Sequence, residues 1–392
     1  PSGKAAQAGA GKNNGFVAAN VLYCMRPFRW KGKLPRRNRG EWEEKRMIKP
    51  KCLKKGDKVA VVSLSKGTIG EARFIHKYHL AKERLERDYG LNVVAMPNAL
   101  KGIDYLYRHP EARAQDLMDA FRDPEIKAVF SAIGGDDTIR LLPYIDLDVL
   151  RENPKIFTGY SDTTTNHLMM YKAGLVSYYG AAVMTNWAEY SSINEYTAQA
   201  VDHTLFHPRE SWTIPASGFC SYEEDKIWWA EEHMDQSTPR FPNTGYEILQ
   251  GSGTVSGPLL GGCVEVFVQL FGTPLWPSVE EWRGKLLLLE TSESNMSASF
   301  LSWCLRNLQA QGILQVINGI VVGKPAFPDK IEPYKEIYRQ VVGFEAGRPD
   351  LPILYNVNVG HAYPIGVFPL GLRYEIDCDK KTFRLLEPAT AP

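Results

Sequence analysis

The sequence predicts an α/β protein built on parallel sheet, and three features carry that prediction. Short apolar runs at residues 58–63, 91–96 and 127–133 end in Ser, Pro or Gly, as strands buried on both faces do. Helical periods lie between them, at 72–89, closed by Gly90 as C-cap, and at 110–121, where Ala112, Leu117, Met118 and Phe121 form an apolar face. The alternation then returns after residue 254. Strand-like segments at 285–289, 316–322 and 353–355 are separated by helical ones at 298–311 and 333–344, and two further strands are expected at 374–378 and 382–386. Strands alternating with helices of this length imply βαβ units with right-handed crossovers. Ligands of such sheets bind beyond the carboxyl ends of the strands.

Length and charge narrow the function. The chain has 392 residues, 44% hydrophobic and 23% charged, with a formal net charge of +1. That is enough chain for two domains, and it gives no electrostatic reason to expect a nucleic-acid partner. Cys24, Cys52, Cys220, Cys263, Cys304 and Cys378 are scattered without a C-x-x-C pair. Neither a zinc site nor a disulfide framework is expected, and reduced thiols point to the cytoplasm. No apolar run approaches the ~20 residues that span a bilayer, so no membrane partner is expected. The glycines of 251–257 lack the preceding strand and following acid of a dinucleotide loop. No cofactor or metal is predicted.

The expected organisation has four parts. Residues 1–46, Gly/Ala-rich and then basic, show no period and read as a disordered or artefactual extension, with Met47 a plausible start. Residues 47–185 form an N-terminal α/β domain, and 251–392 a C-terminal one. Between them, 186–250 loses all period and gathers Trp, Pro and Tyr; it reads as connecting and site-covering loops.

Residues 155–172, KIFTGYSDTTTNHLMMYK, hold the densest signal. A β-prone run meets a tight Gly159–Thr163 corner, after which a helical period begins with Leu168, Met169 and Tyr171 on one side. Strand, serine-bearing corner and helix make the layout of a nucleophile elbow, which aims backbone N–H groups at whatever the serine attacks. The simpler alternative is that Ser161 or Asp162 caps the helix. Two other loops carry chemistry. The run 285–289 ends in Glu290, either a functional carboxylate at a strand end or a helix cap, and Gly360-His361-Ala362-Tyr363-Pro364 presents one constrained histidine. His76, His79, His109, His203, His207 and His233 lie in polar surroundings, and His167 falls in the helix after the elbow, packed or solvated. Serine, carboxylate and imidazole are the parts of an acyl-transfer triad.

A series of spaced motifs makes the chain similar to one family. IGGDDT followed by KIFTGYSDTT, then YYGAAVMTNWAE, GPLLGGCVEVFVQLFGTPLWP, KLLLLETSE, INGIVVGKP and VGHAYPIGVFPLG resemble the serine-type LD-carboxypeptidases over residues 47–389. That family holds murein tetrapeptide LD-carboxypeptidases and microcin C self-immunity peptidases. The resemblance implies an N-terminal Rossmann-like domain bearing the nucleophile, a C-terminal α/β domain bearing acid and base, and an active site at their interface. It puts the nucleophile on Ser161, the acid on Glu290 and the base on His361. Oxyanion donors fall on Gly135 (or Gly134) and Asp162. Ile133, where murein enzymes carry arginine, and ETSE in place of LED look more like the immunity branch. The substrate implied is a small peptide or a peptidyl- or aminoacyl-nucleotide, with a non-catalytic binding module as the rival reading. Trp187 is expected either to stack a base at the site or to pack in the core. Cys263 replaces the family's usual asparagine. The expected assembly is a homodimer.

Overall fold

The structure is a computed structural model, which describes residues 47–227 and 229–392. The expectations for residues 1–46 lie outside the described residues, as does Trp228.

The first half alternates as its sequence does. Strands β1 (Lys58–Val62), β2 (Asn92–Ala95), β3 (Ile126–Ser131), β4 (Ile156–Gly159) and β5 (Ser177–Tyr179) are separated by helices that include Ile75–Tyr89, Pro110–Arg122 and Thr164–Ala173. They pair in parallel in the order β2-β1-β3-β4-β5. Helices cover the sheet, so β4 is buried at every position. Each fully buried Ile or Phe of this kind contributes about 1.5–3 kcal/mol.

The second sheet gathers β6 (Trp212–Ile214), β9 (Glu247–Gln250), β10 (Thr254–Cys263), β11 (Leu286–Glu290), β12 (Gly319–Gly323), β13 (Ile353–Val357), β15 (Arg373–Asp377) and β16 (Thr382–Leu385). Its order is β6-β16-β15-β10-β11-β12-β13-β9, parallel from β10 to β13 and antiparallel at both flanks. A small ribbon, β7 (Phe219–Cys220) with β8 (Phe241–Pro242), stands apart from both sheets.

Three features go beyond the sequence reading. Residues 186–250 are not all loop: they hold helix Glu195–Val201, edge strands β6 and β9, and the ribbon. These elements are too short to print a period. The glycine-rich stretch before Cys263 is the long strand β10, its glycines allowing close approach of neighbouring backbone. Finally, β14 (Phe368–Leu370) leaves the C-terminal half and pairs antiparallel with β5, Phe368 opposite Tyr179. A three-residue strand with Pro369 at its centre gives no strand signal, and it sits at a sheet edge, where proline is tolerated.

That crossing strand stitches the two halves together, and the core continues across the seam. Leu168, Met169 and Met170 of the helix after β4 share one buried cluster with Leu260, Val264 and Phe267 of the second half. One close contact is at Gly262, whose φ of 150° and missing Cβ let Thr164 approach; a methyl there would lie 2.5 Å from Thr164 Oγ1. Gly262→Ala is expected to lower the urea midpoint by the equivalent of about 1–3 kcal/mol with an unchanged m-value. An unchanged midpoint would mean that the halves do not meet there.

Candidate active site

The corner after β4 is strained, and its neighbours account for the strain. Ser161 has φ of 65°, a left-handed conformation that costs a non-glycine residue about 1–2 kcal/mol. Its N–H donates to Tyr179 Oη at 3.1 Å, and its carbonyl accepts from Thr164 Oγ1 at 2.7 Å. Below it, His167 Nε2 donates to the Gly159 carbonyl while Nδ1 accepts from Ser177 Oγ, both at 2.8 Å. Burial pushes His167 down to about 4, so it is a neutral packing histidine. Neither Ser161 nor Asp162 caps the helix by its side chain. The Asp162 carboxylate instead accepts from Ser65 Oγ (2.6 Å), Thr138 N (2.8 Å) and Thr138 Oγ1 (2.6 Å). This ties the serine corner to the loops after β1 and β3.

Gly134 and Gly135 follow β3 and face the same corner. A Cβ on Gly134 would lie 2.7 Å from Ser161 Cβ, and one on Gly135 would lie 2.2 Å from Ser65 Oγ. Only glycines allow the turn to close on the serine. The backbone of that turn and the start of the helix therefore border one small space beside Ser161.

Glu290 ends β11 and is fully buried. It does not cap the next helix, which Ser297 caps. It accepts from Tyr179 Oη on Oε1 at 2.5 Å and from His361 Nδ1 on Oε2 at 2.8 Å. Gly360 makes room for it, since a Cβ there would lie 2.4 Å from Glu290 Oε2. The His361 ring packs edge-on against Tyr160, the residue before Ser161, with centroids 5.0 Å apart. Its other nitrogen, Nε2, lies 3.1 Å from Glu293 Oε2. Burial lowers the His361 pKa, but the charge and hydrogen bond of Glu290, with Glu293 behind them, outweigh it and raise the imidazole to about 9. The structure thus brings Ser161, Gly134, Gly135, Asp162, Glu290 and His361 to one rim, drawn from both halves of the chain.

Trp187 does not join them. It is 1% exposed, stacked on Phe130 at 5.5 Å and 9° and edge-on to Tyr89 at 5.3 Å. This corrects the stacking expectation: no face of the indole is open to a ligand. The tryptophan beside the site is Trp229, in a cleft with about 550 Å³ of open space, lined also by Lys77, Tyr160, Tyr190 and His361. Lys77 Nζ donates to the Ala188 carbonyl at 2.7 Å and faces the Tyr190 ring at 3.8 Å; burial pushes it down to about 7. Sequence reasoning passed over Trp229, Lys77, Tyr179 and Glu293. Tyr179 and Glu293 lie within quoted motifs, but only the fold shows that they touch Glu290 and His361. Among the described residues, no helix is long and apolar enough to cross a membrane.

The fold and the rim define a two-part α/β protein of peptidase type, and comparison with known proteins agrees. Models of the LD-carboxypeptidase N-terminal and C-terminal domains match residues 59–180 and 256–376. The chain belongs to the LD-carboxypeptidase family. A Vibrio cholerae protein bearing a carboxypeptidase name is 30% identical over 86% of this chain and 98% of its own length. The Escherichia coli microcin C7 self-immunity protein MccF is 27% identical over 70% of this chain and 78% of its own. A solved MccF-like protein from Streptococcus pneumoniae, in complex with AMP, superposes with a TM-score of 0.78 at 36% identity, covering 84% of this chain and 98% of that one.

The His361 pair makes stability depend on pH. Because the folded state raises this imidazole from 6.5 to about 9, the pair's contribution is full below pH 6.5 and is lost as pH rises through 9. The stability advantage of the native chain over Glu290→Gln, read from urea midpoints, is therefore expected to narrow between pH 6.5 and 9. A constant gap would show that His361 does not hold its proton against Glu290.

Proposed function

We propose that the chain is a serine peptidase that hydrolyses an amide near a peptide's C-terminus through an acyl-enzyme on Ser161. The observation that supports this best is the run of contacts from the strained Ser161 corner through Tyr179 and Glu290 to His361. Ser161 Oγ attacks the scissile carbonyl carbon, and its proton passes to His361 Nε2, whose ring Glu290 orients through Nδ1. The carbonyl oxygen, now an oxyanion, is met by the N–H groups of Asp162 and Gly135. As the C–N bond breaks, His361 returns the proton to the leaving amine. Water then releases the acid by the same steps, with His361 again taking a proton.

For the leaving group we favour an aminoacyl- or peptidyl-nucleotide of the microcin-immunity kind. Trp229, half-buried, gives the cleft a flat apolar wall on which a base would stack, at about 1–3 kcal/mol per base. Solved relatives in complex with AMP or with aspartyl sulfamoyl adenosine support the same reading. The second reading, release of a C-terminal D-residue from a murein peptide, rests on a Bacillus subtilis relative named for murein peptide carboxypeptidase activity, 28% identical.

Hydrolysis of an aminoacyl sulfamoyl-adenosine and of a murein tetrapeptide, run side by side, tests both. Ser161→Ala is expected to lose on the order of 10⁴-fold or more in kcat, and Trp229→Ala to raise KM for the nucleotide substrate alone. Turnover retained by Ser161→Ala would overturn the peptidase reading. Efficient D-alanine release without nucleotide-substrate turnover would replace the favoured substrate with the second.

A further inference from the structure

Two polar groups that line the cleft beside the site have no partner in the fold. Asn186 Nδ2 and Tyr363 Oη belong to side chains 1% and 9% exposed, and neither makes a hydrogen bond among the described residues. Buried polar groups are nearly always paired, so each exception calls for a reason. Asn186 lies on a turn wound more widely than an α-helix. Trp187 N donates to the Ala182 carbonyl at 3.3 Å and Ala188 N to that of Val183 at 2.8 Å, each five residues back. Such turns are frequent at functional sites. Met184 N donates to the Ala132 carbonyl at 2.9 Å, which ties the turn to the chain two residues ahead of Gly134. The Asn186 amide has one possible orientation, because Oδ1 accepts from Ala182 N and from Thr185 Oγ1, both at 3.0 Å. A backbone N–H only donates, so the oxygen must face it and Nδ2 is the end not spent on the turn. Tyr363 is held by its backbone, whose N–H and carbonyl bond Ser221 at 3.0 and 2.9 Å. Its hydroxyl adds nothing to that placement.

From this pair we propose that Asn186 and Tyr363 bind the sugar hydroxyls of the leaving group. The proposal rests on the nucleotide reading above. In an aminoacyl-nucleotide the scissile carbonyl and the base stand at opposite ends, with the ribose between them. With the carbonyl at Ser161 and the base on Trp229, the ribose falls in the intervening stretch of the cleft. Asn186 belongs to that stretch. Thr185, the residue before it, is bonded by the Tyr160 side chain, which packs on His361. The chain after it leads to Tyr190, whose ring faces Lys77, and Lys77 in turn faces the Trp229 ring at 5.4 Å. Both unpartnered groups are uncharged, Glu189 lines the same space, and Lys226 is already paired with Glu223. A neutral hydroxyl, which accepts from Nδ2–H and can either donate to Oη or accept from it, suits them better than a phosphate oxygen. A site built to bond a hydroxyl rejects the analogue that lacks it, because its own buried polar groups then stay unpaired.

Calorimetric titration of the full chain with AMP and with 2′,3′-dideoxy-AMP tests this without turnover, and so stands apart from the Ser161→Ala assay. The native chain is expected to bind AMP about tenfold more tightly than the dideoxy form. Asn186→Asp keeps the acceptor that the turn needs and removes the Nδ2 donor, while Tyr363→Phe removes only the hydroxyl. Each is expected to cut the preference for AMP by about threefold or more. The ratio of the two affinities cancels any general effect of the new carboxylate on the phosphate. Because Tyr363 Oη has no bond to lose, Tyr363→Phe is expected to leave the urea midpoint unchanged or raised, which a structural role for the hydroxyl would not allow. Equal binding of the two nucleotides by the native chain, or a preference that either substitution leaves unchanged, would overturn this proposal and leave the nucleotide reading standing. Failure to bind either nucleotide would overturn both.

Discussion

The hydrogen bond from Tyr179 Oη to Glu290 Oε1, at 2.5 Å, joins the two halves of the molecule beside Ser161 and His361. Tyr179 ends the fifth strand of one sheet and Glu290 ends the second parallel strand of the other. The same phenol oxygen accepts the Ser161 N–H. One buried side chain thus fixes the serine corner from one sheet and the carboxylate from the other. Burial and the neighbouring Glu290 charge hold the phenol far above its ordinary range, so it remains a donor to a carboxylate that has no solvent to stabilise it. A hydrogen bond to a buried charge is worth about 1.5–3 kcal/mol, and leaving the charge without it costs at least as much. The tie is therefore both structural and chemical.

Around that tie the chain accepts local costs. Ser161 sits at positive φ, Gly134 and Gly135 give up side chains so that the turn can close on it, and Gly360 yields space to the Glu290 carboxylate. Strain of this kind persists only where the surroundings over-determine it. Here the Asp162 carboxylate, with three bonds to Ser65 and Thr138, and His167, bonded to Gly159 and Ser177, do so. The strand Phe368–Leu370 adds a covalent connection, since it carries chain from the His361 side into the sheet that bears Ser161.

Much of this was legible in the sequence because local pattern and tertiary need coincide. The apolar runs before Gly134, Gly159 and Glu290 mark buried parallel strands, and the residues just past their ends gather on one rim as the rule for open α/β sheets requires. What was not legible lacks local signal. The Phe368–Leu370 strand is three residues with a central proline, and the elements within 186–250 are shorter than any period. Trp187 and Trp229 flank the same irregular segment, yet one stacks on Phe130 in the core and the other lines the cleft. Composition cannot separate two indoles whose difference is which neighbours the fold supplies. Likewise Ser161 and Glu290 read equally well as helix caps until the bonds they make are seen.

The cross-sheet tie acts as a unit, and a double-mutant cycle on kcat/KM measures that directly. Tyr179→Phe and Glu290→Gln are each expected to lower kcat/KM, and the double variant to be little worse than Glu290→Gln alone, a coupling within the 0.5–3 kcal/mol that contacting residues show, about 2 kcal/mol here. Losses that simply multiply would contradict it, because Tyr179 and Glu290 would then be acting on the reaction independently.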